Sequence, residues 1–153
     1  MDSIITISRD KLVERLKEFF HEMPMNIFIL ELIPSTEKSI FDKYESSEFS
    51  EFHTYSTFLD NIKPPKVKEE ECGVTKEKAD EIQEFIFRVR NNDSDKPNKL
   101  IVTCNDGLSV SGAIALWAMD WLMDSDETVF NKLNPDIKPN EMILRDLYLH
   151  PII

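Results

Sequence analysis

Short β-branched runs alternate along the chain with longer stretches whose apolar residues recur at helical spacing. Ile4-Ile-Thr-Ile7 is the first such run. Ser8 is a good N-cap and Asp10 falls in the first turn after it, so a helix follows. Leu12, Val13, Leu16, Phe19, Phe20 and Met23 keep helical spacing up to Pro24. Asn26–Leu30, continuing to Ile33, is a strong apolar run of the kind found in strands buried on both faces. A strand–helix–strand opening predicts a parallel pair joined by a right-handed crossover.

Residues 34–51 are irregular, with a short helix around Ser39–Ser46. Ile40, Phe41, Tyr44 and Phe49 stand there among Asp42, Glu45, Glu48 and Glu51. That segment is either a solvated connector with anchoring aromatics or a partner-binding face. Phe52–Leu59 has high β-propensity and reads as a third strand, ended by Asp60-Asn61. Pro64 to Gly73 forms a loop, with Glu69, Glu70 and Glu71 a solvated charge run. Thr75 caps a helix running to about Asn91, its buried side formed by Ala79, Ile82, Phe85, Ile86 and Val89. Asn91–Asn98 is a turn cluster. Ser125 can start a short helix holding Val129, Phe130 and Leu133. Pro139-Asn140 opens a last one with Met142, Ile143, Leu144, Leu147 and Tyr148.

The rest of the chain is organised around Leu100–Ala115. Leu100 to Val102 is a short buried strand, Asn105-Asp106-Gly107 is turn chemistry, and a helix begins at Ser111. Ala113 to Met119 is apolar almost all round, so this helix packs inside the fold. The chain has only three glycines, and two of them, Gly107 and Gly112, sit in this loop. Their placement predicts positive φ or close backbone approach here. A strand–loop–helix of this kind aims backbone N–H groups and a helix N-terminus at one small volume suited to an anion. Cys104 stands at its mouth, where the same field favours a thiolate.

The 153 residues fit one domain, residues 1–153, with no internal repeat and no linker that would split it. The longest apolar run, Ala113–Met123, is broken by Asp120 and is too short to span a bilayer. No signal peptide is visible at the N-terminus, and two cysteines do not make a disulfide framework, so the expectation is a cytoplasmic protein with reduced thiols. The net charge of −11 argues against nucleic-acid and anionic-membrane binding; it reads first as solubility, with an acidic surface that docks on a basic protein partner as the sharper alternative. His21, His53 and His150 lack metal-ligand spacing with Cys72 or Cys104, so no metal and no cofactor is expected. Met119, Met123 and Met142 read as core filler, and Trp117 and Trp121 as one face of the buried helix.

Cys104-Asn-Asp-Gly-Leu-Ser-Val-Ser-Gly112 resembles the signature loop of the cysteine-dependent tyrosine and dual-specificity phosphatases, His-Cys-x-x-Gly-x-x-Arg-Ser/Thr-Gly. The order of the elements, with the closing Pro139-Asn140 helix, is similar to the small bacterial and phage members. The resemblance implies an α/β, three-layer phosphatase-like fold, with a mainly parallel four- to five-stranded sheet flanked by helices. It implies Cys104 as nucleophile and Ser111 as the hydroxyl that assists the departing thiolate. Asn105, Asp106, Gly107, Leu108, Ser109, Val110 and Gly112 would form the anion-binding loop. Asp60, at the end of its strand, is the nearest match to the general acid, and is otherwise a strand-ending turn residue.

Two positions depart from that pattern: Val110 stands where the family has arginine, and Thr103 where it has histidine. The arginine grips the phosphoryl group through two charged hydrogen bonds, each contributing about 1.5–3 kcal/mol. Losing both removes roughly 3–6 kcal/mol of transition-state stabilisation, on the order of 10²–10⁴ in rate. Asp106 adds a carboxylate, and no Lys or Arg lies between residues 100 and 131 to offset it. Three readings follow. One is a pseudophosphatase acting as a protein-binding, regulatory or inhibitory module through an acidic surface. A second is a weak or altered phosphatase using Cys104. The third is a redox-sensing thiol, for which the lack of a nearby positive charge leaves the Cys104 pKa little lowered.

Overall fold

The computed structural model describes residues 3–21, 26–43, 52–61, 73–92, 95–122 and 127–150. Among these residues the sheet has four strands: β1 (Ser3–Ser8), β2 (Asn26–Ile33), β3 (His53–Phe58) and β4 (Asn98–Cys104). All pairings are parallel and the order is β1-β4-β2-β3. The opening β1 and β2 are therefore parallel, but they are not the adjacent pair expected from their strand–helix–strand pattern. The strand that carries Cys104 enters between them. Local pattern identifies a strand but not its neighbours, which lie far apart in the chain; β4 is buried on both faces, as a strand between two others must be.

Side-chain alternation divides the core in two. Ile5, Ile7, Ile27, Ile29 and Ile101 face one side of the sheet with Leu12, Phe19, Ile40 and Phe52. Ile4, Phe28, Leu30, Leu32, Leu100 and Val102 face the other. The first face is covered by α1 (Arg9–Glu14), α2 (Leu16–His21) and α3 (Ile40–Lys43). The second is covered by α4 (Lys76–Arg90), α5 (Val110–Leu122), α6 (Glu127–Leu133) and α7 (Glu141–Leu149). These are the three layers expected. Ala79, Ile82, Phe85, Ile86 and Val89 are buried, as the α4 pattern requires. Helix α5 is buried from Val110 through Met119 except at Leu116, and Trp117 is among the largest enclosed side chains.

Three helices start on side-chain caps. Ser8 Oγ accepts from Lys11 N at 3.2 Å, and Thr75 Oγ1 from Lys78 N at 3.2 Å. Asn140 Oδ1 accepts from Met142 N at 3.0 Å and Ile143 N at 3.1 Å. Each cap contributes about 1 kcal/mol. Pro139 thus precedes the cap rather than occupying the first helical turn. The first helix is not continuous: at Arg15 the backbone leaves helical ψ, dividing α1 from α2. Tyr44, Phe49, Glu45, Glu48 and Glu51, the charge run Glu69–Glu71, Cys72 and Met123 lie outside the described residues. Among the described residues no helix is long and apolar enough to cross a membrane.

Candidate functional site

The C-terminal ends of parallel strands are where open α/β sheets place their ligand crevices. β4 ends at Cys104, and residues 105–109 turn so that α5 begins beside its sulfur. The turn depends on Gly107, at φ +70°. A Cβ there would stand 2.3 Å from Ser8 N and 2.5 Å from Ile7 C, so the loop lies against the backbone at the end of β1. Gly112 differs: a Cβ would meet Ile137 Cβ at 3.4 Å, an ordinary contact.

The Cys104 sulfur is 3.2 Å from Asp106 Oδ1 and 3.2 Å from Ser111 Oγ, and accepts from Ser111 N at 3.4 Å. The residue is 4% exposed. Burial pushes its pKa up, the two Ser111 bonds pull it down, and the Asp106 carboxylate pushes it up again. The net direction is upward, so the thiolate-favouring field expected from the loop does not prevail. A helix N-terminus does not win where the thiol is itself desolvated and a carboxylate stands beside it.

Burial is the larger cause, and Asp106 adds to it. Its Oδ1 also accepts from Leu108 N at 2.8 Å and Ser109 N at 3.1 Å. Two loop amides that an oxyanion would use are thereby directed at the loop's own carboxylate. Val110 is buried in the core at 3% exposure, and with Leu32, Pro34 and Leu59 forms the apolar wall of a pocket of about 210 Å³ above Cys104. Asn61, Asn105 and Asp106 supply the polar part of its lining. Thr103 is fully buried, and its Oγ1 has no hydrogen-bond partner among the described residues.

Asp60 Oδ1 accepts from Ser35 N at 2.9 Å and Ser35 Oγ at 3.2 Å, which is turn chemistry at the end of β3, and Asp60 is not among the residues lining the pocket. Its neighbour Asn61 is. Asn61 Oδ1 accepts from Ser109 Oγ at 3.1 Å and Asn140 Nδ2 at 2.8 Å, joining the end of β3 to the Cys104 loop and the cap of α7. Ser109 O in turn accepts from Asn140 N at 3.0 Å. These bonds fix the loop from outside.

A buried polar network supports its other flank. Arg9 Nε donates to Glu31 Oε2 at 2.9 Å, and Arg9 Nη1 to Asn105 Oδ1 at 2.9 Å and Glu37 Oε1 at 3.3 Å. Arg9 Nη2 donates to Lys38 O, and Asn105 Nδ2 to Glu37 Oε2. Glu31 also accepts from Ser39 Oγ at 2.5 Å, Ser56 Oγ at 2.8 Å and Ile40 N at 2.9 Å. So a guanidinium does reach the loop, from a distant part of the sequence, with two glutamates bonded to it. Arg9, Glu31 and Asn61 belong to no motif that marks them as site residues. The available signal is Glu31, a carboxylate inside an apolar strand, which burial permits only with a partner.

No protein-family model matches the chain, and no curated protein is similar to it in sequence. Two solved structures are similar in fold. The crystal structure of Tk-PTP in the active form superposes with a TM-score of 0.54 at 14% identity, covering 97% of this chain and 91% of that one. Tk-PTP in a glycine-to-alanine mutant form gives a TM-score of 0.50 at 14% identity, with 95% and 89% covered. The chain therefore has a protein-tyrosine-phosphatase-like fold: a four-stranded parallel sheet flanked by helices, with Cys104 at the end of a central strand.

Proposed function

We propose that this protein is a binding module on a phosphatase-like fold, without hydrolytic turnover at Cys104. The observation that carries the reading is the position of Asp106 Oδ1, which accepts from Leu108 N and Ser109 N and lies 3.2 Å from the sulfur. Phosphoryl transfer needs a thiolate and donors preorganised around the phosphoryl oxygens. Here the raised pKa keeps the thiol protonated, two donors are engaged, and Val110 offers no charge. The net charge of −11 favours a basic protein partner and a regulatory or inhibitory role.

Hydrolysis of p-nitrophenyl phosphate by the wild type and by Cys104→Ser tests this. The two rates should match the buffer blank. Wild-type turnover that Cys104→Ser abolishes would overturn the reading. It would favour a weak phosphatase, for which the retained Cys104–Ser111 contact at 3.2 Å is the supporting observation.

A further inference from the structure

The two edges of the sheet, β1 and β3, are finished differently. At β1 a side chain closes the edge: the Asn134 carboxamide donates to Ile4 O at 2.9 Å and accepts from Thr6 N at 2.8 Å. Those are the bonds a peptide group of a neighbouring parallel strand would make. At β3 the backbone alternation is fixed by Leu59 N, which donates to Ile33 O of β2 at 2.8 Å. By that alternation Tyr55 and Thr57 also turn their backbone groups to β2, and Thr54, Ser56 and Phe58 turn theirs outward. Among the described residues no hydrogen bond reaches those outward groups. Open edges are usually blunted by Lys, Pro or a bulge. Here β3 keeps unbroken register with β2 from His53 to Phe58, and that run has no Lys, Arg, Asp, Glu or Pro. His53, Thr54 and Phe58 are exposed. We propose that β3 is a docking edge whose occupant is an extended segment of a basic partner protein, added to the sheet as a further strand.

Charge selects that occupant. Main-chain bonds to an edge strand give affinity whatever the added sequence, so neighbouring side chains and charges decide which segment binds. In sequence the uncharged strand is bracketed by Glu51 and Asp60, and the whole chain carries −11. A segment with Lys or Arg at its ends meets that charge favourably. A second copy of this chain pairing through β3 would bring two chains of the same −11 charge together, and like charges across a strand pair are destabilising. Exposed Thr54 and Phe58 lie on one face of β3 and suit β-branched cross-strand neighbours. The proposal rests on the binding-module reading and adds the surface and the class of partner.

The test is backbone amide exchange of the full-length protein with two end-blocked probe peptides. One is Lys-Thr-Val-Thr-Val-Thr-Lys and the other carries Glu at both ends in place of Lys. The lysine-ended peptide should slow exchange at Thr54, Ser56 and Phe58 saturably, by roughly tenfold or more, while Tyr55 and Thr57, already turned to β2, change less. The glutamate-ended peptide should bind roughly tenfold or more weakly. Thr54→Pro removes one outward N–H and leaves the β2 pairing, as proline on an open edge does, and should weaken the lysine-ended peptide. No slowing by the lysine-ended peptide, equal affinity for both peptides, or slowing that follows protein concentration alone and sediments as a dimer would each overturn the proposal. The wild-type comparisons decide it even if the variant does not fold. Aryl-phosphate turnover is a separate measurement: it bears on the non-hydrolytic reading, whereas the peptide results bear on the β3 edge alone.

Discussion

Arg9 Nε and Glu31 Oε2 lie 2.9 Å apart with their side chains 5% and 0% exposed, so the Cys104 loop rests on an enclosed ion pair. The pair draws the first helix, the middle of β2 and, through Asn105, the loop into one unit. Removing one partner leaves a buried charge uncompensated, at a cost of about 3–5 kcal/mol. Glu31→Gln and Arg9→Met should each lower the urea midpoint accordingly. The double variant Arg9→Met with Glu31→Leu should recover only part of the loss, because it removes both charges together but leaves Ile40 N and the Ser39 hydroxyl without their acceptor.

Cys104 should alkylate slowly at neutral pH. Its pKa is raised by burial and by Asp106 against the opposing pull of Ser111, so the thiol stays protonated in the folded protein. The iodoacetamide rate should rise only as pH passes above the ordinary thiol range. Asp106→Asn should move that rise to lower pH. The linked effect on stability has a definite sign. A thiol whose folded pKa exceeds its unfolded value contributes stability fully below the unfolded value and loses it as pH rises through the folded one. Cys104→Ser should flatten that alkaline loss in a series of denaturation curves.

The two loop glycines should respond oppositely to alanine. Gly107→Ala imposes a positive φ on a side chain, roughly 1–3 kcal/mol. It also drives a Cβ into the Ser8 and Ile7 backbone, so the total loss exceeds that range. Gly112→Ala lies in helix α5 with room for its methyl, and should leave stability unchanged or raise it by up to about 1 kcal/mol. Chemical denaturation of the pair separates the conformational requirement from simple smallness.

Asn140→Ala removes the cap of α7 and the bond to Asn61 together. The cap alone contributes about 0.5–2 kcal/mol. At roughly 2–4 °C per kcal/mol for a domain near this size, the melting temperature should fall by several degrees. Asn140→Asp keeps the acceptor for the amides of Met142 and Ile143 but cannot donate to Asn61. It should retain most of the stability while loosening Ser109, visible as faster amide exchange across residues 108–110.

Sequence pattern carried the layers of the fold well. The β-branched run Ile4-Ile-Thr-Ile7 and the apolar run Asn26–Ile33 marked two strands of the sheet, and the loop was visible from two of the three glycines. Strand neighbours were less legible, because the runs that pair lie far apart in the chain. Position in the loop was also readable, but the behaviour of Asp106 was only half so. Its charge could be counted; that it folds back onto Leu108 and Ser109 depends on the turn geometry set by Gly107. Arg9 was invisible as a neighbour of Asn105 because 96 positions separate them. A lone carboxylate among Ile29, Leu30, Leu32 and Ile33 was the clue that some cation must come to meet it.

The central place of β4 has a consequence during synthesis. Until residues 98–104 leave the ribosome, β1 and β2 have an open gap between them, each exposing a row of unpaired backbone groups and adjoining isoleucines. A chain that stops before the Asn98 start of β4 therefore lacks the strand that pairs with both β1 and β2. The keystone arrives late, and it brings the cysteine with it: assembling the architecture and shaping the pocket are one event, and a truncation upstream of β4 forfeits both.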